Sequence, residues 1–146
     1  MTAEDAALAA EHGVNVIYIS NHGGRQLDHV LGNIDMLPEI VAAVDGKAEV
    51  IIDGGFVRGT DVLKALILGA DAVSIGKLQA WALAAAGQAG LVRALEILEG
   101  EIKKSMGLLG VASLAELDGS YLTATNPVTP AHELSAFPHL PENIRL

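Results

Sequence analysis

Residues 20–26 carry the side chains of this chain whose types and spacing are best suited to catalysis. They read Ser-Asn-His-Gly-Gly-Arg-Gln and directly follow an apolar run at 14–19 that predicts a buried strand. His22 could accept a proton, and Arg25, three residues later, could hold a carboxylate with two hydrogen bonds. The Gly pair allows a sharp turn and keeps bulk away from a bound molecule. A lone His-x-x-Arg is more often a polar strand-to-loop junction, so the motif needs support from the rest of the chain.

Two glycine-containing turns follow later apolar runs. Asp53-Gly54-Gly55 comes after the run at 48–52, and Gly76-Lys77 comes after the run at 72–75. Turns of this kind, placed just before helix N-termini, expose backbone N–H groups toward an anion. A single Gly pair usually serves only a tight turn. Two such turns in tandem favour phosphate binding and resemble the phosphate site that TIM barrels build after their seventh and eighth strands.

Apolar runs alternate with helical patterns through most of the chain. We predict strands at 14–19, 48–52 and 72–75, and helices at 3–12, 34–44, 60–68 and 78–106, with a short helical turn at 114–117. Thr2 and Thr60 are the expected N-caps of the first and third helices, and the last helix is expected to be interrupted at Gly87, Gly90 and Gly100. Apolar strands separated by helices favour a parallel sheet covered on both faces and built from right-handed βαβ units.

Taken together, the motifs resemble those of the FMN-dependent 2-hydroxy-acid oxidases and dehydrogenases, the family of glycolate oxidase and of lactate and mandelate dehydrogenases. The seven residues 20–26 match its active-site signature without interruption, and the run from Asp53 to Ala70 matches a second motif. The resemblance covers residues 1–122 and implies an α/β fold, a partial (β/α)₈ TIM barrel made of strands six to eight with their helices. Residues 123–146, which hold four of the five prolines, are predicted to form a Pro-rich C-terminal tail.

The resemblance also implies a cofactor and residue roles. Members of this family use FMN to oxidise a small L-2-hydroxy acid to the 2-oxo acid. It implies that His22 takes up the proton, that Arg25 and His22 bind the substrate, and that Ser20 meets the flavin ring. It further implies that the loops at 53–55 and 76–77 hold the phosphate, with Arg58 as a candidate substitute cation. The cofactor-binding residues implied in these segments are Asp53, Gly54, Gly55, Arg58, Gly76 and Lys77. It implies no metal.

Two positions depart from the family pattern. The family has Arg where this chain has Val57, with Arg58 one residue later. A third family motif, Ile-Gly-Arg, aligns with Ile75-Gly76-Lys77, so that Lys77 stands in place of Arg. Lys keeps a charge but loses the guanidinium fork, which holds phosphate with two hydrogen bonds. Strands one to five of the barrel, and the flavin- and substrate-contacting residues that they carry, have no counterpart here. We therefore expect half of an active site in this chain.

Composition narrows the classes of function. The 146 residues, 51% of them hydrophobic, fit one domain with a substantial core, and the lack of cysteine excludes disulfides and thiolate chemistry. A net charge of −9 with scattered cations argues against nucleic-acid binding. No apolar run reaches the ~18 residues needed to span a bilayer, and residues 1–5 do not resemble a signal peptide, so we expect a cytoplasmic protein.

Two other interpretations stay open. The missing strands favour a non-catalytic, truncated remnant, or a subunit that completes a barrel with a partner or as a homo-oligomer. Another FMN- or phosphate-binding barrel enzyme, such as a flavin-dependent isomerase, could share residues 53–77, although the motif at 20–26 argues against it. One charged group on the last helix is interpreted as a solvated face; it comprises Glu96, Glu99, Glu101, Lys103 and Lys104.

Overall fold

Three parallel strands form the sheet of the computed structural model, which describes residues 2–125. The strands are β1 (Val16–Ile19), β2 (Glu49–Ile52) and β3 (Ala72–Val73), and they lie side by side in chain order. In the register, β2 pairs with β1 along its whole length and with β3 at its last two residues. The backbone ladder closes with Asp53 N–H donating to the Ile19 carbonyl at 3.1 Å and Ser74 N–H donating to the Ile52 carbonyl at 2.8 Å. The loops that follow the three strands therefore start at the same edge of the sheet.

Four α-helices accompany the strands, as the hydrophobic pattern predicts. They are α1 (Ala3–Glu11), α2 (Asn33–Val44), α3 (Gly59–Ile67) and α4 (Lys77–Leu109), and short 3₁₀ turns occupy His22–Gly24, Leu114–Glu116 and Gly119–Tyr121. The predicted break at Gly87 is confirmed, because Ala86 and Gly87 have non-helical backbone angles. The predicted breaks at Gly90 and Gly100 are wrong, since the helix continues through both. The Pro-rich tail predicted at 123–146 lies almost entirely outside the described residues.

The helix starts show which predicted caps are correct. The Thr2 hydroxyl accepts from the Asp5 N–H at 3.2 Å, which confirms the first N-cap. The prediction for Thr60 is wrong, because α3 begins one residue earlier, with Arg58 in the N-cap position. The Asp61 carboxylate accepts from the backbone N–H groups of Val57 and Arg58 at 3.2 and 3.0 Å. The Asp61 carboxylate in the first turn thus reaches back to the N–H groups of the N-cap residue and of the residue before it, as the acidic residue of a capping box does.

The apolar core lies between the helices and one face of the sheet. The largest of its side chains that are less than 2% exposed are Ile19, Leu37, Ile40, Val44 and Ile52. Because strand side chains alternate between faces, Val16 and Tyr18 lie on the opposite face, where they are 40% and 51% exposed. The prediction of a sheet covered on both faces is thus wrong for residues 2–125. In a closed barrel the second face is filled by side chains from other strands rather than by helices.

Gly59 should be required where α3 begins against α4. A Cβ atom at this position would stand 2.6 Å from both the Glu101 Cβ and the Ile102 backbone N. We expect Gly59→Ala to lower the free energy of unfolding by ~1–3 kcal/mol, the usual cost of overpacking. Gly100→Ala is the matched control: a Cβ there meets nothing within 4 Å, so it should stabilise α4 by ~0.5–1 kcal/mol. Urea unfolding followed by circular dichroism would measure both, and equal effects would contradict the packing argument.

The open sheet should make the isolated chain associate. Within residues 2–125, β1 and β3 each pair along one side only, and unpaired strand edges readily pair with other chains. We expect self-association, or a need for a partner that supplies strands. Val16→Lys, which places a charge on the exposed face of β1, should shift the chain toward monomer. Size-exclusion chromatography with light scattering over a concentration series would show this, and a cooperatively unfolding wild-type monomer would contradict it.

Candidate active site

A cavity of about 580 Å³ lies where the three strands end. It draws its lining from the loops after β1, β2 and β3, so that motifs far apart in sequence meet in one place. Seven of the nine residues predicted for the site line it: His22, Arg25, Asp53, Gly54, Gly55, Gly76 and Lys77. The other two, Ser20 and Arg58, lie outside this lining. Side chains of Phe56, Val57 and Leu78 supply the apolar part of the wall.

The turn that carries His22 is held by the side chains just before it. His22 has a φ of 52°, a left-handed conformation that is uncommon for a non-glycine residue. Its backbone N–H donates to the Ser20 hydroxyl at 3.2 Å, and the Gly23 N–H donates to the Asn21 side-chain oxygen at 2.9 Å. These contacts support the backbone of the turn while leaving the His22 and Arg25 side chains exposed toward the cavity.

The Asp53 carboxylate holds neighbouring side chains at the same edge of the sheet. Its Oδ2 atom accepts from the Ser20 hydroxyl at 2.8 Å and from the Tyr18 hydroxyl at 3.3 Å. Its Oδ1 atom accepts from the Asn33 amide at 2.9 Å. Ser20 therefore joins Asp53 to the backbone of the His22 turn. Three donors on one carboxylate fix its position, which sets the start of the glycine turn that follows it.

Sequence reasoning missed Asn33, the first residue of α2. It is only 4% exposed and is the buried polar residue of the described core. Its Nδ2 atom donates to the Asp53 carbonyl and carboxylate, both at 2.9 Å, and its Oδ1 atom accepts from the Asn21 N–H at 3.1 Å. An Asn at a helix start is usually interpreted as a cap, so only the tertiary structure shows that it turns inward.

The glycine turns leave open backbone next to a positive charge. Gly54 and Gly55 have φ values of 97° and 83°, which L-residues with a side chain rarely adopt. A Cβ at Gly55 or Gly76 would meet nothing within 4 Å, so both face open space. Lys77 begins α4, where the free N–H groups of the helix and its dipole favour an anion. Residues 54–55 and 76–77 thus form a surface suited to a phosphate.

Arg58 is held by a partner outside the cavity. Its Nε atom donates to both carboxylate oxygens of Glu101 at 2.9 and 3.1 Å, and its second guanidinium nitrogen lies 2.8 Å from Oε1. Glu101 also accepts from the Gly59 N–H at 2.7 Å. The hydrogen bonds to Glu101, followed by the negative charge of Glu101, raise the pKa of Arg58. The hydrogen bonds from Arg58 and from the Gly59 N–H lower the pKa of the Glu101 carboxyl.

The Glu101 contacts change one sequence-based interpretation. Glu101 is not part of a solvated helical face, because it joins α4 to the start of α3 through Arg58 and Gly59. The neighbouring pairs Lys103–Glu99 and Arg93–Glu96 do lie on the exposed surface of α4. The local sequence does not indicate these contacts, because the partners of Glu101 lie more than 40 residues earlier in the chain.

Two kinds of feature are absent from the described residues. Between residues 2 and 125, no three His, Asp or Glu side chains come close enough to hold a metal ion. Over the same range, no helix is both long and apolar enough to cross a bilayer, and this includes the 33-residue α4. The lining of the cavity offers His22, two cationic side chains and exposed glycine backbone.

Comparison with known proteins identifies relatives for these features. Residues 1–124 match the family model of the FMN-dependent dehydrogenases. The chain is 51% identical over 122 residues to an L-lactate oxidase from Nostoc sp., covering 84% of this chain and 33% of that protein. It is 52% identical over 118 residues to 2-hydroxyacid oxidase 2 from Homo sapiens, covering 81% of this chain and 34% of that protein. A solved structure of mandelate oxidase with benzoyl-formic acid superposes with a TM-score of 0.76 at 52% identity, over 79% of this chain and 34% of the other.

The matched region contains all three motifs of the cavity. The chain spans about a third of the length of the curated relatives that it matches. FMN is the cofactor of the matched family, which confirms the cofactor expected from the motifs. With the family model covering residues 1–124 and relatives about half identical in sequence, this chain belongs to the FMN-dependent dehydrogenase family.

Proposed function

We propose that this chain contributes strands six to eight of an FMN-dependent barrel that oxidises a small L-2-hydroxy acid to the 2-oxo acid. The observation that carries the proposal is the single cavity that brings His22 and Arg25 together with the Gly54-Gly55 and Gly76-Lys77 turns. The names of the relatives, which include lactate, 2-hydroxyacid and mandelate oxidases, support this class of substrate. On this proposal residues 1–122 are barrel and residues 123–146 are a tail.

The side chains at the β1 end of the cavity suit the substrate. Arg25 would hold the substrate carboxylate with two parallel hydrogen bonds, which orients the carbinol carbon toward the rest of the cavity. An imidazole nitrogen of His22 would then take up the proton that the carbinol group loses on oxidation. The Asp53 carboxylate accepts from Tyr18, Ser20 and Asn33, so its described contacts fix the loop.

The residues at the β2 and β3 ends suit the cofactor's phosphate. The open backbone at Gly54, Gly55 and Gly76 and the charge of Lys77 would hold it, with Asp53 setting the loop and Ser20 lying near the flavin ring. FMN, when bound, supplies the acceptor for the two electrons of the oxidation. Val57 lines the cavity without offering a charge, and Arg58 is engaged by Glu101. We infer that the phosphate is bound without a guanidinium group.

A second function, that of a non-catalytic or barrel-completing subunit, is supported by two observations. One face of the sheet is exposed at Val16 and Tyr18, and Val57 stands where the family's Arg is expected. In that case a partner, or other copies of the chain, would supply the strands that face β1 and β3. Flavin absorbance separates the two functions: flavin bound to the chain, or to its complex with a co-purifying protein, supports the oxidase, and a chain and complex without flavin support a non-catalytic subunit.

Substitutions of His22 and of Arg25 should impair the reaction in different ways. His22→Gln removes the proton acceptor, so the rate of flavin reduction should fall by ~10²–10⁴-fold. Arg25→Lys replaces a planar fork with a point charge, and we expect both weaker substrate binding and slower turnover. Bleaching of flavin absorbance by lactate, glycolate or mandelate in the flavin-loaded protein would measure both.

The control for this experiment is His12→Gln. His12 is an exposed histidine at the end of α1, where its ring contacts the Leu8 carbonyl at 2.8 Å, and its substitution should leave flavin reduction unchanged. Full turnover in the His22→Gln protein would refute the assignment of His22.

The phosphate proposal makes a further prediction about Val57 and Arg58. Val57→Arg should tighten FMN roughly tenfold or more, because a charge-assisted hydrogen bond contributes ~1.5–3 kcal/mol. Val57→Met, which adds length without charge, should not. Arg58→Ala should lower the unfolding temperature through loss of the Glu101 contact but change FMN affinity little. Flavin fluorescence titration would decide, and a loss of affinity in Arg58→Ala without a gain in Val57→Arg would show that Arg58 serves the phosphate.

A further inference from the structure

Asn33 is placed where the two halves of the cavity meet. The backbone ladder between β1 and β2 closes at the Asp53 N–H and the Ile19 carbonyl. Beyond that point, the described contacts between the two loops come from side chains: Ser20 to Asp53, and Asn33 to both loops. The relative position of the His22 turn and the glycine turn is therefore set by a few polar contacts rather than by the sheet.

The described hydrogen bonds of the Asn33 amide all go to these loops. Its two N–H groups serve the Asp53 carbonyl and carboxylate, and its oxygen accepts from the Asn21 backbone. The side chain makes no cap for its own helix, since Gly32 holds the N-cap position without a side-chain bond. A buried amide with all of these partners strongly favours one arrangement of the loops, because any shift would leave a buried polar group unpaired.

The absence of a side chain at Gly54 leaves room for the Asn33 amide. A Cβ at this position would stand 2.8 Å from the Asn33 Nδ2 atom, so a larger residue would push the amide away from Asp53. The glycine thus allows the amide to approach the loop, in addition to allowing the positive φ of the turn. Asn33 and Gly54, 21 positions apart in the chain, therefore pack closely only because residue 54 is a glycine.

We propose that Asn33 is a positioning residue that fixes the turn bearing His22 and Arg25 relative to the Asp53–Gly55 loop. The consequence for catalysis rests on the proposed function, in which the first element holds substrate and the second holds the cofactor's phosphate. Because a misplacement of ~1 Å can cost on the order of 10²-fold in rate, a bridge of this kind would govern turnover without touching the substrate.

The Asn33 amide has two arms, its hydrogen bonds to Asp53 and its hydrogen bond from the Asn21 N–H, and each can be tested separately. Asn33→Asp keeps an oxygen for the Asn21 N–H but sets a negative charge against the Asp53 carboxylate, so it breaks the Asp53 arm. Asn33→Leu breaks both arms. The reciprocal pair Asn33→Asp with Asp53→Asn restores a donor–acceptor contact between the two side chains. Asn15→Asp is the matched control, since it makes the same chemical change at an exposed residue before the start of β1.

The readout is nuclear magnetic resonance of the full chain, with no cofactor needed. In Asn33→Leu, the Asn21 N–H should exchange with solvent roughly tenfold faster, the effect expected from loss of one hydrogen bond. In Asn33→Asp, that N–H should stay protected while the ring signals of His22 shift. The reciprocal pair should return the His22 signals toward wild type, and Asn15→Asp should leave them unchanged. In flavin-loaded protein, Asn33→Asp should slow reduction by lactate about tenfold or more while FMN affinity changes less.

Two results would overturn the proposal. One is an Asn33→Asp protein whose His22 signals match those of Asn15→Asp. The other, which decides the matter if Asn33→Leu does not fold, is a reciprocal pair that recovers stability without recovering the His22 signals. Failure of the proposed function looks different: the His22 signals would respond as described, but fluorescence titration would show no FMN binding to the chain or to its complex with a partner.

Discussion

The carboxylate of Asp53 holds together the loops on which the candidate site depends. It accepts hydrogen bonds from Tyr18 and Ser20 on the β1 side and from Asn33 at the start of α2. These donors reach it only in the observed register, because a slip of one residue would turn Tyr18 and Ser20 to the opposite face of the sheet. The same alternation buries Ile19 and Ile52 against the helices. Core packing and site geometry are therefore set by one register.

Local patterns explain why much of this arrangement could be predicted from the sequence. The strands and helices follow from apolar periodicity, and His22, Arg25 and the glycine turns stand out because each motif is contiguous in sequence. Asn33 and Glu101 could not be found in this way. A polar residue at a helix start and an acidic residue on a charged helix each have an ordinary local explanation, a cap and a solvated face. Only long-range packing brings Asn33 onto Asp53 and Glu101 onto Arg58, and no local pattern records that packing.

The fate of Arg58 shows how a shift of one residue redistributes charge. Val57 faces the cavity, whereas Arg58 and Glu101 neutralise one another where α3 meets α4. The cations left to the cavity are Arg25, on the loop after β1, and Lys77, on the loop after β3. With the Asp53 loop between them, the two charges suit two separate anionic groups rather than one. A substrate carboxylate and a cofactor phosphate are such a pair, which connects the observed charge pattern to the proposed reaction.

The exposed face of the sheet affects the electrostatic interactions in the site as well as the stability of the fold. Val16 and Tyr18 lie open on the face opposite the helices, and His22 and Arg25 are exposed at its edge. An Arg–carboxylate pair in water contributes little, because solvent screens the charges and competes for the hydrogen bonds. Strands packed over this face would bury the apolar side chains and lower the dielectric around His22 and Arg25 at the same time. On the proposed function, strands that cover this face would serve the reaction as well as folding, since the same burial that completes the core would strengthen the electrostatics of the site.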